Sequence, residues 1–157
     1  MSLKEELNLR KPIALLSHKA LLNIYYTASC LKKRADEFFR PYKLTDVQFN
    51  LLALLSHQAE PGEGLSQAQI SEMMLVNRAN ITSLIDRMER ANLVRRTTSL
   101  EDRRSNVIKL TARGKKLFAQ LDPLYIKEVK KVMAPLRESE QENLMEMLRK
   151  IRKKLSR

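Results

Sequence analysis

One cysteine, Cys30, and two histidines, His18 and His57, are the only thiol and imidazole side chains in 157 residues. A lone cysteine forms no internal disulfide, and the three positions are too scattered for the paired spacing of a zinc site. Neither a metal nor another cofactor is expected. With three glycines in all, the chain has no phosphate-cradling loop of the Gly-x-x-x-x-Gly-Lys type, and no nucleophile, base and acid fall into a triad motif. An enzyme is therefore disfavoured; a helical one with a site assembled from distant residues is the remote alternative. Hydrophobic runs are short as well. No stretch reaches the roughly 18 apolar residues of a spanning helix, and Met1-Ser2-Leu3-Lys4-Glu5-Glu6 lacks the apolar core of a secretory signal. These absences predict a cytoplasmic protein with no membrane partner.

What is present is positive charge. Lys and Arg number 30 against 18 Asp and Glu, a formal net charge of +12. Such an excess implies a polyanionic partner, and by itself suits DNA, RNA or an anionic membrane surface equally. The length is that of about one domain with its own core.

The stretch from Leu65 to Gly114 narrows the choice. Ser66-Gln67-Ala68-Gln69 has the form of a capping box, so a helix is predicted from about Gln67, with Ile70, Met73 and Met74 on its apolar face. After Leu75-Val76, Asn77 is a good N-cap for a second helix, in which Ile81, Leu84, Ile85 and Met88 form one apolar stripe. Arg78, Ala79, Asn80, Ser83 and Arg87 are left on other faces. Arg and Asn have the donor geometry that suits guanine and adenine edges, and small residues let a helix approach the major groove. An ordinary solvated face would look the same, so the helix alone decides nothing.

The residues that follow do decide. Asn92 can take the left-handed position that ends a helix. Leu93 to Thr98 then reads as a strand and Asn106 to Leu110 as its antiparallel partner, with Ser99 to Ser105 as a polar tip. Arg96 lies on the first strand, and Arg103 and Arg104 stand at the tip beside Asp102, a carboxylate able to orient a guanidinium. An Arg held at a loop tip suits a narrow minor groove. Helix, turn, helix and basic hairpin together predict a double-stranded DNA binder.

This run resembles the MarR-type winged-helix transcriptional regulators. The similarity lies in Ile85 to Arg96, in Glu101-Asp102-Arg103-Arg104-Ser105, and in Val107 to Gly114. The resemblance implies that Asp102 braces the wing, that Arg104 enters the minor groove, and that the outer face from Asn77 to Arg87 reads the major groove. Asn92 departs from the family, which usually has Gly there.

The rest of the chain reads as helix. From Ile13 to about Phe39 there is no Gly or Pro, and Leu21, Ile24, Ala28, Leu31, Ala35 and Phe38 keep a heptad-like stripe along about 40 Å. Pro41 ends it, and Thr45 to Gln48 looks like a second capping box, with Val47, Leu51, Leu54 and Leu55 inward. Beyond Gly114, Leu117, Leu121 and Leu124 stay in phase, and Pro123 predicts a kink or break. A new cap is expected at Ser139 to Glu142, before a helix with Leu144, Leu148, Ile151 and Leu155 on one side. These terminal stripes are read as a dimer interface, against the alternative of an intramolecular bundle. The cations Arg149, Lys150, Arg152, Lys153, Lys154 and Arg157 are read as solvating the last helix and complementing its dipole rather than as phosphate contacts.

The expected fold is mainly α with a small β-hairpin wing: a winged helix-turn-helix DNA-binding domain flanked by N- and C-terminal dimerisation helices. One MarR-like domain is expected over 1–157, with dimerisation helices at about 10–40 and 112–157, the DNA-binding region at about 44–111, its recognition helix at about 77–91 and its wing at about 93–111. The resemblance also implies a cleft for a small aromatic or phenolic ligand, for which His18, Tyr25, Tyr26, Phe38, Phe39 and His57 are candidate linings, each more simply read as packing. Cys30 is read as a small apolar helix residue rather than a redox sensor, since the sensing cysteine of some relatives lies nearer the helix start, near Leu22. The function expected is a homodimeric regulator, a repressor first, on a pseudo-palindromic operator; an activator of the same fold and a non-specific architectural DNA-binding protein are the alternatives.

Overall fold

The computed structural model describes residues 2–60, 63–74, 78–98 and 106–155, with the side chains of residues 78 and 79 left out. Seven α-helices and three short strands follow one another in these segments: α1 Leu3–Glu6, α2 Leu16–Phe39, α3 Asp46–His57, β1 Leu65–Ser66, α4 Gln67–Met73, α5 Arg78–Arg90, β2 Val94–Thr98, β3 Asn106–Leu110, α6 Ala112–Met133 and α7 Glu138–Leu155. The fold is the one expected, mainly helical with a hairpin after α5.

Local chemistry starts these helices. At α3 the Gln48 N–H donates to Thr45 Oγ1 at 3.3 Å while the Thr45 N–H donates to Gln48 Oε1 at 2.9 Å. Ser66 and Gln69 repeat the exchange at α4, at 3.2 and 2.8 Å. Each box satisfies two backbone donors that a helix start leaves orphaned. Pro41 falls in a 3-10 turn, Arg40–Tyr42, that closes α2.

Four expectations are corrected. Of the kink or break expected at Pro123, the break does not occur: Pro123 and Ala119, whose carbonyl loses its donor, both lie on the exposed side, where water can replace the missing bond. The cap of α7 is not at Ser139. Glu140 instead reaches back to Arg137, accepting from its N–H at 2.8 Å and from its guanidinium at 3.0 Å. Met73 is 46% exposed because α4 ends there. Finally, the sheet has three strands in the order β1-β3-β2, all antiparallel, with Leu65 opposite Ile108 and Arg96 opposite Ile108 on the other side. Two residues are too few for a strand pattern to show. Gly64 makes the pairing feasible: its φ is +90°, and a Cβ there would stand 2.5 Å from the Ile108 carbonyl oxygen.

The core lies within the segment from α3 to β3 and is closed by α2 and α6. Phe49, Leu51, Leu52, Ile70, Ile81, Ile85, Met88, Ile108 and Leu121 are all essentially inaccessible. Phe39 stacks on Phe49 with ring centroids 4.6 Å apart, and Tyr125 of α6 meets Phe49 edge-on at 4.9 Å. Such aromatic pairs add about 0.5–1.5 kcal/mol each beyond their burial, so they tie the long helices to the reader.

Gly114 allows a close approach of α6 to the start of the wing. A Cβ at this position would lie 2.0 Å from the Leu93 carbonyl oxygen. Gly114→Ala is expected to cost about 1–3 kcal/mol through overpacking, read as a thermal midpoint several degrees lower with helix content retained. An unchanged midpoint would show that α6 can move off Leu93.

Candidate nucleic-acid interface

The buried side of α5 determines what its other side can do. Ile81, Ile85 and Met88 are fully inaccessible and Leu84 is 2% exposed. Burying four such side chains contributes roughly 1.5–3 kcal/mol each before entropy is counted, so the rotation of the helix about its axis is fixed. Asn80, Ser83 and Arg87 are consequently exposed. Arg78 and Ala79 belong to the same helix by backbone. Thr82 joins this surface without having been singled out from sequence: Gln67 Nε2 donates to its Oγ1 at 2.5 Å, linking α4 to α5. Asn77, Asp102, Arg103 and Arg104 lie outside the described residues.

The wing leaves α5 through a tight corner. Asn92 has φ 55°, the left-handed conformation expected of it, and its N–H donates to the Glu89 carbonyl at 2.9 Å. The Leu93 carbonyl accepts from the Thr111 N–H at 3.1 Å and lies 3.2 Å from Thr111 Oγ1, while the same hydroxyl donates to the Asn92 carbonyl at 2.6 Å. Thr111 Oγ1 also accepts from the Gly114 N–H at 3.0 Å. One side chain therefore pins the start of β2 and caps α6.

Arg96, expected to face DNA, points elsewhere. Its guanidinium bonds to the carboxylates of Asp86 and Glu89 on α5, and its backbone N–H donates to Glu89 Oε1 at 2.9 Å. The side chain is 30% exposed. The hydrogen bond to Asp86 holds its pKa above the ordinary Arg value; burial opposes this, and Glu89 reinforces it. A guanidinium shared by two carboxylates has little left for a phosphate. Neither Asp86 nor Glu89 was distinguishable in sequence from the charges of a solvated helix face.

The candidate effector residues do not converge. His18 and Tyr25 are exposed, the latter by 65%. His57 is exposed and meets the Phe118 ring edge-on at 5.3 Å. Tyr26 is half-buried, and its phenol pKa is raised, first by the neighbouring Cys30. Cys30 itself is exposed rather than packed in apolar surroundings. Phe38 lines a cavity of about 260 Å³ between α2 and α6, with Leu31, Arg34, Tyr125, Val129 and Met133. Arg34 Nε donates to Glu128 Oε1 at its edge at 2.6 Å. Burial, and then Asp46, pushes the Tyr125 phenol pKa up. Among the described residues no cluster of His, Cys, Asp and Glu would hold a metal ion, and no helix is long and apolar enough to cross a membrane.

A helix held by a buried stripe with a polar outer face, a capped helix packed before it and a hairpin after it define a winged helix-turn-helix. A family model described as the MarR family matches residues 42–105. The HTH-type transcriptional regulator PecS of Dickeya dadantii is 30% identical over 125 residues, covering 80% of this chain and 75% of PecS. The S. aureus MepR–DNA complex aligns with a TM-score of 0.76 at 23% identity, over 90% of this chain and 99% of MepR. The organohalide-sensing regulator RdhR in its 2,4-dichlorophenol-bound form aligns with a TM-score of 0.79 at 19% identity, over 92% and 86% of the two chains. The chain belongs to the MarR family: it is a DNA-binding transcriptional regulator and not an enzyme.

Asn92 carries a conformational cost that glycine would not. Asn92→Gly is expected to raise stability by several tenths of a kcal/mol, and Asn92→Val to lower it by about 1–2 kcal/mol, since left-handed backbone crowds a branched Cβ. Urea unfolding of the three proteins checks the order; a Val variant as stable as the Gly one would mean that the corner does not require this φ.

Proposed function

We propose that the protein is a homodimeric repressor that sets α5 in the major groove of a pseudo-palindromic operator and its wing in the adjacent minor groove, blocking transcription. The observation that carries the reading is the exposure of Asn80, Ser83 and Arg87 on a helix whose opposite stripe is fully buried. Base discrimination is assigned to Arg78, Asn80, Ser83 and Arg87, with Asn77 and Ala79 at the approach. Arg103 and Arg104 at the wing are assigned to phosphate and minor groove, with Asp102 as brace. Arg96 leaves the contact set because its charge is already satisfied. The complex of MepR with DNA supports the partner class. Action on DNA would make the site of work cytoplasmic.

The dimer is supported by surface that one chain leaves uncovered. No residue of α7 is buried, and Phe39 is the only buried residue of α2. Leu15, Leu16, Tyr25, Met145, Met147 and Leu155 are each more than half exposed. An isolated 18-residue helix is marginal in water, so a second copy packed on α2, α6 and α7 is the natural cover. We accordingly assign about 10–40 and 112–157 to dimerisation and about 44–111 to reading, within one domain. The cavity beside Phe38 suits a small aromatic or phenolic effector: its walls are apolar and it lies where α2 meets α6. The dichlorophenol-bound state of RdhR supports that ligand class.

Binding-site selection with the purified protein at near-physiological salt, followed by footprinting, tests the reading. Two half-sites about one helical turn apart are expected; uniform binding without a motif would favour an architectural protein. If a dimer neutralises about eight phosphates, log K should fall with log salt at a slope near −7, and a flat response would remove the charge argument. On the selected duplex, Arg87→Ala is expected to cost about 1–3 kcal/mol with unchanged thermal stability. Arg104→Ala should weaken binding most where the minor groove is narrow and A·T-rich, as titration of paired duplexes would show.

A further inference from the structure

We infer that Asp86 and Glu89 are positioning residues of the DNA reader: by gripping Arg96 they lock the wing to the recognition helix and so fix the spacing between the two grooves that are read. The inference rests on the two-groove reading above. Asp86 and Glu89 stand at i and i+3 of α5, on one flank of the helix between its buried stripe and its outer face, and both are half-buried. Arg96 sits in the middle of β2, opposite Ile108. β2 is an edge strand, since the sheet order is β1-β3-β2. Glu89 takes the outward N–H of that edge at 2.9 Å and also holds the guanidinium, while Asp86 holds a second nitrogen.

Only residues 91–93 connect α5 to β2. β1 pairs with β3 only at Leu65 and Ser66, so beyond Val107 the wing is a two-stranded ribbon with little rigidity of its own. The clamp adds a direct tie to α5 at Arg96, two residues beyond Val94, whose pairing with Leu110 is the first of the hairpin. Its strength is directional: a planar guanidinium between two carboxylates fixes orientation as well as distance. Rigid spacing matters for a specific site, where helix and wing must meet their grooves together, and little for random duplex, where each phosphate contact counts separately.

The clamp also hides two negative charges on a surface meant for a polyanion. If they acted only as charge, removing them would strengthen binding to every duplex. The double variant Asp86→Asn/Glu89→Gln separates the two effects by sign. Its affinity for the duplex obtained by binding-site selection is expected to fall about tenfold, despite the loss of two negative charges per chain, while affinity for a scrambled duplex holds or rises. Arg96→Gln should lower selected-duplex affinity similarly and leave the salt slope unchanged, since an internally paired guanidinium releases no counterions from DNA. In free protein, hydrogen exchange at the β2 and β3 amides of the double variant should speed up about tenfold or more, with the α3 amides unchanged. Equal strengthening on both duplexes, or unaltered exchange in the wing, would overturn the clamp. Wing exchange that rises as expected while selection yields no motif would instead sustain the clamp and remove the two-groove reading.

Discussion

Three functional parts of this chain meet at one carbonyl group. The Leu93 oxygen accepts the Thr111 N–H, and Gly114 approaches it so closely that no side chain fits between them. Leu93 also donates its own N–H to the Met88 carbonyl at 2.9 Å, closing α5. The end of α5, the start of β2 and the first turn of α6 are thereby fixed within one turn of backbone. Because α6 is also the helix whose Tyr125 reaches Phe39 and Phe49, any shift of α6 is felt at Leu93 and in the aromatic core together. A packed corner of this kind does not deform gradually. On the proposed function, a shift of α6 would reach α5 and the wing through this corner.

Electrostatics are arranged around the same corner. Among the described residues no charged side chain is fully buried, so the net charge of +12 is carried where counterions and phosphates can reach it. Acids are placed where they orient something: Glu128 holds Arg34 across α2 and α6, and Asp86 with Glu89 holds Arg96. Exposed pairs contribute little to stability in water. Their value here lies in geometry, since each joins two elements that must keep a fixed relation.

Much of this was legible in sequence because it is local. Thr45 with Gln48, and Ser66 with Gln69, announce helix starts through contacts three residues apart, and the Ile81, Leu84, Ile85, Met88 stripe announces the buried side of α5 by its period. Asn92 was readable because few residues tolerate its φ. What stayed hidden depends on partners far along the chain or on backbone shape. The pairing of Leu65 with Ile108 leaves no pattern in two residues. Arg96 resembled a DNA contact because sequence does not show that two carboxylates a few residues upstream face it across the corner. The candidate effector linings were hard to place for a related reason: His18 and Tyr25 stand seven residues apart on α2 and are exposed, His57 stands on α3, and Phe38 meets Tyr125 at 5.8 Å from a helix far along the chain.

Burial is distributed unevenly, and the unevenness argues for how the molecule works. Every element from α3 to β3 has buried side chains, in a core that Phe39 of α2 and Phe118 and Leu121 of α6 complete. The terminal helices α2 and α7 bury less: α7 buries nothing and α2 buries only Phe39. On the proposed homodimer, the second copy completes these helices and leaves the reader nearly untouched. Two rigid readers would then be carried on a frame whose cohesion is intermolecular. The distance between reading heads would depend on how α2, α6 and α7 pack across the dimer, while the base preference of each head would be set within one chain. A small ligand lodged between α2 and α6 would act on the frame and not on the contacts with bases. It would change whether both heads reach their half-sites at once, and a regulator of this construction would be released from DNA by altered spacing without any loss of its sequence preference.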